Sequence, residues 1–79
     1  MTAVGDEIRA TLAEFWTELL EVDAVAGADR FLESGGNSLR ATMLANRIEF
    51  AWGFRPSMEQ LLGCTFDELV DLCVDHPPG

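Results

Sequence analysis

The chain contains no lysine. Its five positive side chains are all arginine, they face fourteen acids, and the formal net charge is −9. A surface of that sign repels a phosphate backbone, which argues against nucleic acid as a partner, and an anionic membrane is disfavoured on the same ground. Without lysine there is no Gly-x-x-x-x-Gly-Lys-Ser/Thr phosphate loop. Histidine is scarce as well. His76, between Asp75 and Pro77, is the single one, so a serine nucleophile has no evident base. Cys64 and Cys73 lack Cys-x-x-Cys spacing and read as reduced, core-type residues. No apolar run approaches the ~20 residues of a membrane span, and the opening "MTAVGDEIRA" places acids where a signal peptide needs an apolar stretch. The expectation is a cytoplasmic, monomeric protein whose partners are proteins with basic patches, since opposite charge speeds encounter.

What is present is compact. The 79 residues suffice for one domain, residues 1–79, with a core over about 4–75 and a tail at 76–79. Chains of this size bury only ~60% of their unfolded surface, which speaks against a deep catalytic cleft. At 48% hydrophobic, the composition is not that of a disordered chain.

Ile8, Leu12, Phe15, Trp16, Leu19 and Leu20 recur at helical spacing with charged residues between them, which predicts a helix from about residue 4 to 20. A long connection follows, with Asp29 placed to close a turn and Val22, Val25, Phe31 and Leu32 as expected anchors. Loops of that length in small domains are usually functional. A second helix begins at Asn37 or Ser38. Ala41, Leu44, Ala45, Ile48 and Trp52 form its expected core stripe, and Leu39, Met43, Asn46 and Phe50 a second stripe roughly opposite. That second stripe either packs under the loop and third helix, Phe50 above all, or is offered to a partner. Gly53 stops the helix. Ser57 with Gln60, and Thr65 with Glu68, have capping-box form. They open a short third helix through Leu62 and a last one whose apolar face is Phe66, Leu69, Val70 and Cys73. No alternating run argues for a strand. The fold class is all-α: a small four-helix bundle with a short third helix and a long loop between helices 1 and 2.

The motif of interest is Ser34-Gly35-Gly36-Asn37-Ser38-Leu39-Arg40. Gly-x-Ser-x-Gly is not satisfied, because Arg40 stands where its last glycine belongs. Asp23, Asp29 and Glu33 miss the calcium-loop spacing, with Val25 and Gly27 at ligand positions, so no metal is expected. Two readings of Ser38 stay open on the residues alone. It caps the helix, worth ~1 kcal/mol, in a non-enzymatic helical adaptor. Or it is a handle for a phosphate-containing group attached by another enzyme: Gly35 and Gly36 leave the hydroxyl unshielded and let the backbone take φ > 0, and a helix N-terminus favours an anion.

The chain resembles the phosphopantetheine-binding carrier proteins of non-ribosomal peptide and polyketide assembly. The resemblance rests on Asp29 and Phe31 ahead of Gly35-Gly36-Asn37-Ser38-Leu39, on Arg47-Ile48, on Gly53 with Pro56, and on Thr65 opening the last helix. It spans about residues 8 to 75. It departs at Asn37, where the family has His or Asp, at Ser34, where Leu or Ile packs, and at Cys64, where proline is common. The resemblance implies a non-catalytic carrier in which Ser38 bears 4′-phosphopantetheine, with Gly35, Gly36 and Asn37 completing the attachment site. The arm's terminal thiol would then hold an acyl or aminoacyl thioester. Implied partners are a phosphopantetheinyl transferase, an adenylation or acyl-loading enzyme, and downstream condensation or tailoring enzymes. They would dock through Leu39, Arg40, Met43 and Arg47. The double glycine leans toward a peptidyl carrier, and the run from Met1 to Gly79 toward a free-standing one.

Overall fold

A computed structural model describes residues 3–75, with side chains from Gly5 onward; the tail expected at His76 to Gly79 lies outside the described residues. Four helices follow one another: α1 (Ala3–Leu20), α2 (Ser38–Trp52), α3 (Met58–Gly63) and α4 (Phe66–Asp75). Helix α1 packs on α2 and on α4, and α3 packs on α2. None of the described helices is long and apolar enough to cross a membrane.

The core comes from the predicted stripes. Ile8, Leu12, Trp16, Leu19 and Leu20 of α1 are buried, as are Ala41, Leu44, Ala45 and Ile48 of α2 and Phe66, Leu69, Val70 and Cys73 of α4. Phe15 and Trp52 flank this core half-buried, with ring centroids 6.0 Å apart. Trp16 is its centre: Phe31 and Phe66 meet it edge to face at 5.4 and 5.3 Å, the geometry that aromatic quadrupoles favour.

The helix ends follow local chemistry. Gly53 takes φ 83° and its N–H donates to the Glu49 carbonyl at 2.8 Å, an αL stop. Ser57 with Gln60 and Thr65 with Glu68 both form reciprocal capping boxes. Helix α1 ends differently. Glu21 occupies φ 58° without being glycine, and the Val22 N–H donates to the Thr17 carbonyl at 3.1 Å, a Schellman closure.

Two apolar side chains are not where the pattern put them. Leu32, expected as an anchor, is 55% exposed: residues 31–35 form a tight turn that sends Phe31 inward and its successor out. Phe50, expected to pack, is 95% exposed. It lies two residues beyond Ile48, about 200° round the helix at ~100° per residue, so it cannot share the core face.

Candidate functional site

The corner before α2 is built by stitching the long loop to the α3–α4 junction. The Asp29 carboxylate accepts the Ala26 N–H at 2.9 Å, and the Asp29 N–H returns to the Ala26 carbonyl at 3.0 Å, closing the expected turn. The next residues pair with the segment opening α4. Phe31 N–H donates to the Cys64 carbonyl at 3.1 Å, Phe66 N–H to the Asp29 carbonyl and Asp67 N–H to the Gly27 carbonyl, both at 2.9 Å. Arg30 and Thr65 thereby form an isolated antiparallel bridge. Nothing in the hydropathy pattern announces this contact, because it uses main-chain groups.

Phe31, buried against Trp16, then fixes the turn that follows. The Ser34 and Gly36 N–H groups both donate to the Phe31 carbonyl, at 3.2 and 2.9 Å. Gly35 sits at φ 101°, where a side chain is strained. Gly36 is needed for a different reason. A Cβ there would strike the Phe31 ring and come within 2.6 Å of the Phe31 carbonyl oxygen. Of the two glycines expected to free the backbone for positive φ, Gly35 alone takes it, and Gly36 instead admits a buried ring.

Asn37, not Ser38, is the N-cap. Its backbone is extended and its Oδ1 accepts the Arg40 N–H at 2.8 Å, while its carbonyl accepts the Ala41 N–H at 2.8 Å. Asn supplies the cap oxygen that Asp would, without the charge. Ser38 is the first helical residue and is exposed. Among the described residues its hydroxyl makes no hydrogen bond, while its carbonyl accepts the Thr42 hydroxyl at 2.9 Å. Capping therefore does not account for Ser38. Among the described residues the hydroxyl has no hydrogen-bonded base that could activate it as a nucleophile.

The residues expected to meet partners divide. Leu39 and Met43 are exposed, 69% and 41%, and Phe50 joins their stripe. Arg40 is turned back across the corner, its Nη1 3.3 Å from the Gly35 carbonyl and its Nη2 3.6 Å from Glu21. Arg47 is tied to α1: its Nη1 lies 2.6 Å from Glu18, and its guanidinium sits over the Phe15 ring at 5.6 Å. It braces α2 against α1 rather than extending the apolar stripe. Asp23, Asp29 and Glu33 do not converge, and among the described residues no group of three His, Cys, Asp or Glu side chains is placed to hold a metal.

Comparison with known proteins settles the family. The family described as "Phosphopantetheine attachment site" matches residues 10–73. The chain belongs to that family. Among its relatives, phosphinothricin tripeptide synthetase PhsB of Streptomyces viridochromogenes is 35% identical over 75 residues, 95% of this chain and 5% of the relative. PhsC of the same organism is 36% identical over 56 residues, 71% of this chain and 5% of the relative. Gramicidin S synthase 2 of Brevibacillus brevis is 42% identical over 46 residues, 58% of this chain and 1% of that protein. This carrier domain thus spans only a small fraction of the length of the curated relatives it matches. In three dimensions it superposes with a TM-score of 0.80 on a chain from the structure of the phosphopantetheine transferase Sfp in complex with coenzyme A and a peptidyl carrier protein. At 23% identity, covering 86% of this chain and 90% of that one, the match establishes the carrier-protein fold.

The prosthetic group of the family is 4′-phosphopantetheine, and the corner fits it. An unpartnered hydroxyl projects at a helix start, no acid occupies the first turn of α2, and a guanidinium lies alongside. The two cysteines offer no rival sulfur. Both are free and buried. Burial, with Glu68 nearby, pushes the Cys64 thiol up to about 11, and burial with Cys64 beside it pushes Cys73 up to about 12. Each is a protonated, weakly nucleophilic thiol at neutral pH.

Proposed function

We propose that Ser38 is the residue that carries 4′-phosphopantetheine, and that the chain is a non-catalytic carrier for acyl or aminoacyl groups in a non-ribosomal peptide-type pathway. The observation that carries this reading is the unemployed hydroxyl of Ser38 beside a cap that Asn37 already supplies. Ser38 Oγ forms the new P–O bond to the phosphate of coenzyme A that bears the pantetheine; the bond to the departing 3′,5′-adenosine bisphosphate breaks, and the serine proton passes to a base on the transferase. Once bound, the arm supplies a thiol at which the cargo is held as a thioester. Gly35, Gly36 and Asn37 hold the attachment corner in shape. Leu39 and Met43 give partner enzymes an apolar contact next to it: the transferase, an adenylation or acyl-loading enzyme, and condensation or tailoring enzymes. The cytoplasm, where coenzyme A is at hand, is the compartment in which we expect loading. Incubation with a broad-specificity phosphopantetheinyl transferase and coenzyme A should add one phosphopantetheine to the wild-type mass and none to Ser38→Ala. Wild-type protein left unmodified by several such transferases would overturn the assignment.

A further inference from the structure

We propose that Arg40 is the counter-ion of the phosphodiester carried on Ser38, and that Glu21 holds the guanidinium in readiness before the arm is attached. The inference rests on the Ser38 attachment proposed above, but its observations are separate. Four ion pairs join arginines to acids among the described residues. Three are short, 2.9 Å for Arg9–Asp67, 2.6 Å for Arg47–Glu18 and 3.1 Å for Arg55–Glu49. The Arg40–Glu21 pair is the longest at 3.6 Å, and its carboxylate is 79% exposed. A pair that long and that wet is the easiest of the four to exchange.

Glu21 also stands where the backbone disfavours it. At φ 58° a glycine or asparagine would close α1 with less strain. What glutamate supplies there and glycine would not is a carboxylate, and the group it faces is Arg40.

Position completes the case. The Arg40 N–H is pinned to Asn37 at 2.8 Å, which fixes where the side chain starts. From there it leans toward the helix N-terminus, as helical side chains do, and reaches the Gly35 carbonyl at 3.3 Å. Two residues, Gly36 and Asn37, separate Gly35 from Ser38, so their Cα atoms lie three steps apart, at most ~11 Å. A phosphodiester on Ser38 would therefore place a full negative charge, with two acceptor oxygens, within the sweep of a guanidinium fork that matches them. Glu21 would be released to solvent.

The test compares apo and phosphopantetheinylated forms of the full chain for wild type, Arg40→Gln, Arg40→Lys and Glu21→Gln, each verified by intact mass. The readout is the change in Tm on modification, at low salt. In wild type this change should exceed that in Arg40→Gln by about 2–4 °C, and the excess should shrink in high salt. Arg40→Lys should keep part of it. Glu21→Gln should enlarge it, because no carboxylate competes. Lower stability of a variant in both forms cancels in the difference. An equal change in wild type and Arg40→Gln, with all proteins fully modified, overturns the role of Arg40 and leaves the attachment intact. No mass gain in wild type would instead remove the attachment, and this inference with it.

Discussion

A single methyl group added at Gly36 tests how the core positions the corner before α2. In Gly36→Ala the new Cβ meets the Phe31 ring and lies 2.6 Å from the Phe31 carbonyl. Phe31 cannot step aside cheaply. It is fully buried, its ring lies 5.4 Å from that of Trp16, and Trp16 is itself held by Phe66 at 5.3 Å. Overpacking of this kind costs about 1–3 kcal/mol, of which ~0.4–1 kcal/mol is offset by the reduced freedom of the unfolded chain. The net loss of ~0.5–2 kcal/mol corresponds, in a domain of this size, to a fall in Tm of roughly 2–15 °C. Thermal and urea denaturation followed by circular dichroism would measure it. The diagnostic step is a double-mutant cycle with Phe31→Val, which removes the ring but leaves the carbonyl. The penalty of Gly36→Ala should shrink by about 1 kcal/mol in that background, above the ~0.3–0.5 kcal/mol scatter of independent sites. Gly35→Ala is the control. Its nearest neighbour would be Arg40 Nη1 at an ordinary 3.7 Å, and its cost arises from φ 101°, so Phe31→Val should not change it. Equal penalties for Gly36→Ala in both backgrounds would refute the claim that Phe31 dictates the glycine.

Two further predictions concern the neighbouring residues and the thiols. Asn37→Ala should lose about 1 kcal/mol and Asn37→Asp recover it, while Ser38→Ala should stay within about 0.5 kcal/mol of wild type; a loss at Ser38 as large as that at Asn37 would restore the capping explanation. Cys64 and Cys73 should resist alkylation in the native state at neutral pH. Their folded values, about 11 and about 12, lie above the ordinary 9.0, so the stability they contribute is complete below pH 9 and is lost as the pH rises toward the folded values. Denaturation midpoints measured from pH 7 upward should be flat with respect to the thiols until about 9 and then decline, and the decline should weaken in Cys73→Ala.

The parts of this domain that local chemistry controls are legible in its sequence. The α4 stripe of Phe66, Leu69, Val70 and Cys73 is buried as its spacing demanded, and both capping boxes form with the residues that spelled them. Ser38 stood out through the glycines before it and the absence of any base. What escaped was set by tertiary contact. The pairing of residues 27–31 with 64–67 runs through main-chain groups that carry no sequence mark. The reason for Gly36 lies in a ring five residues earlier that the core pulls inward. Leu32 and Phe50 show the limit of anchoring by hydrophobicity alone, since each sits beside a better-placed core residue that takes the inward position. Arg40 and Arg47 looked alike on the helix surface, yet one leans back over the Gly35 turn and the other braces α1. Glu21 was invisible, because a helix terminus in the left-handed region is legible in sequence only when glycine or asparagine occupies it.

The most direct test of the account is the intact mass of the protein after treatment with coenzyme A and a phosphopantetheinyl transferase, with peptide mapping of the modified residue. The account predicts one phosphopantetheine per chain, located on Ser38 and absent from a Ser38→Ala variant that melts as wild type does. Modification at another residue, or none in the wild type under conditions that load a known carrier protein, would contradict it.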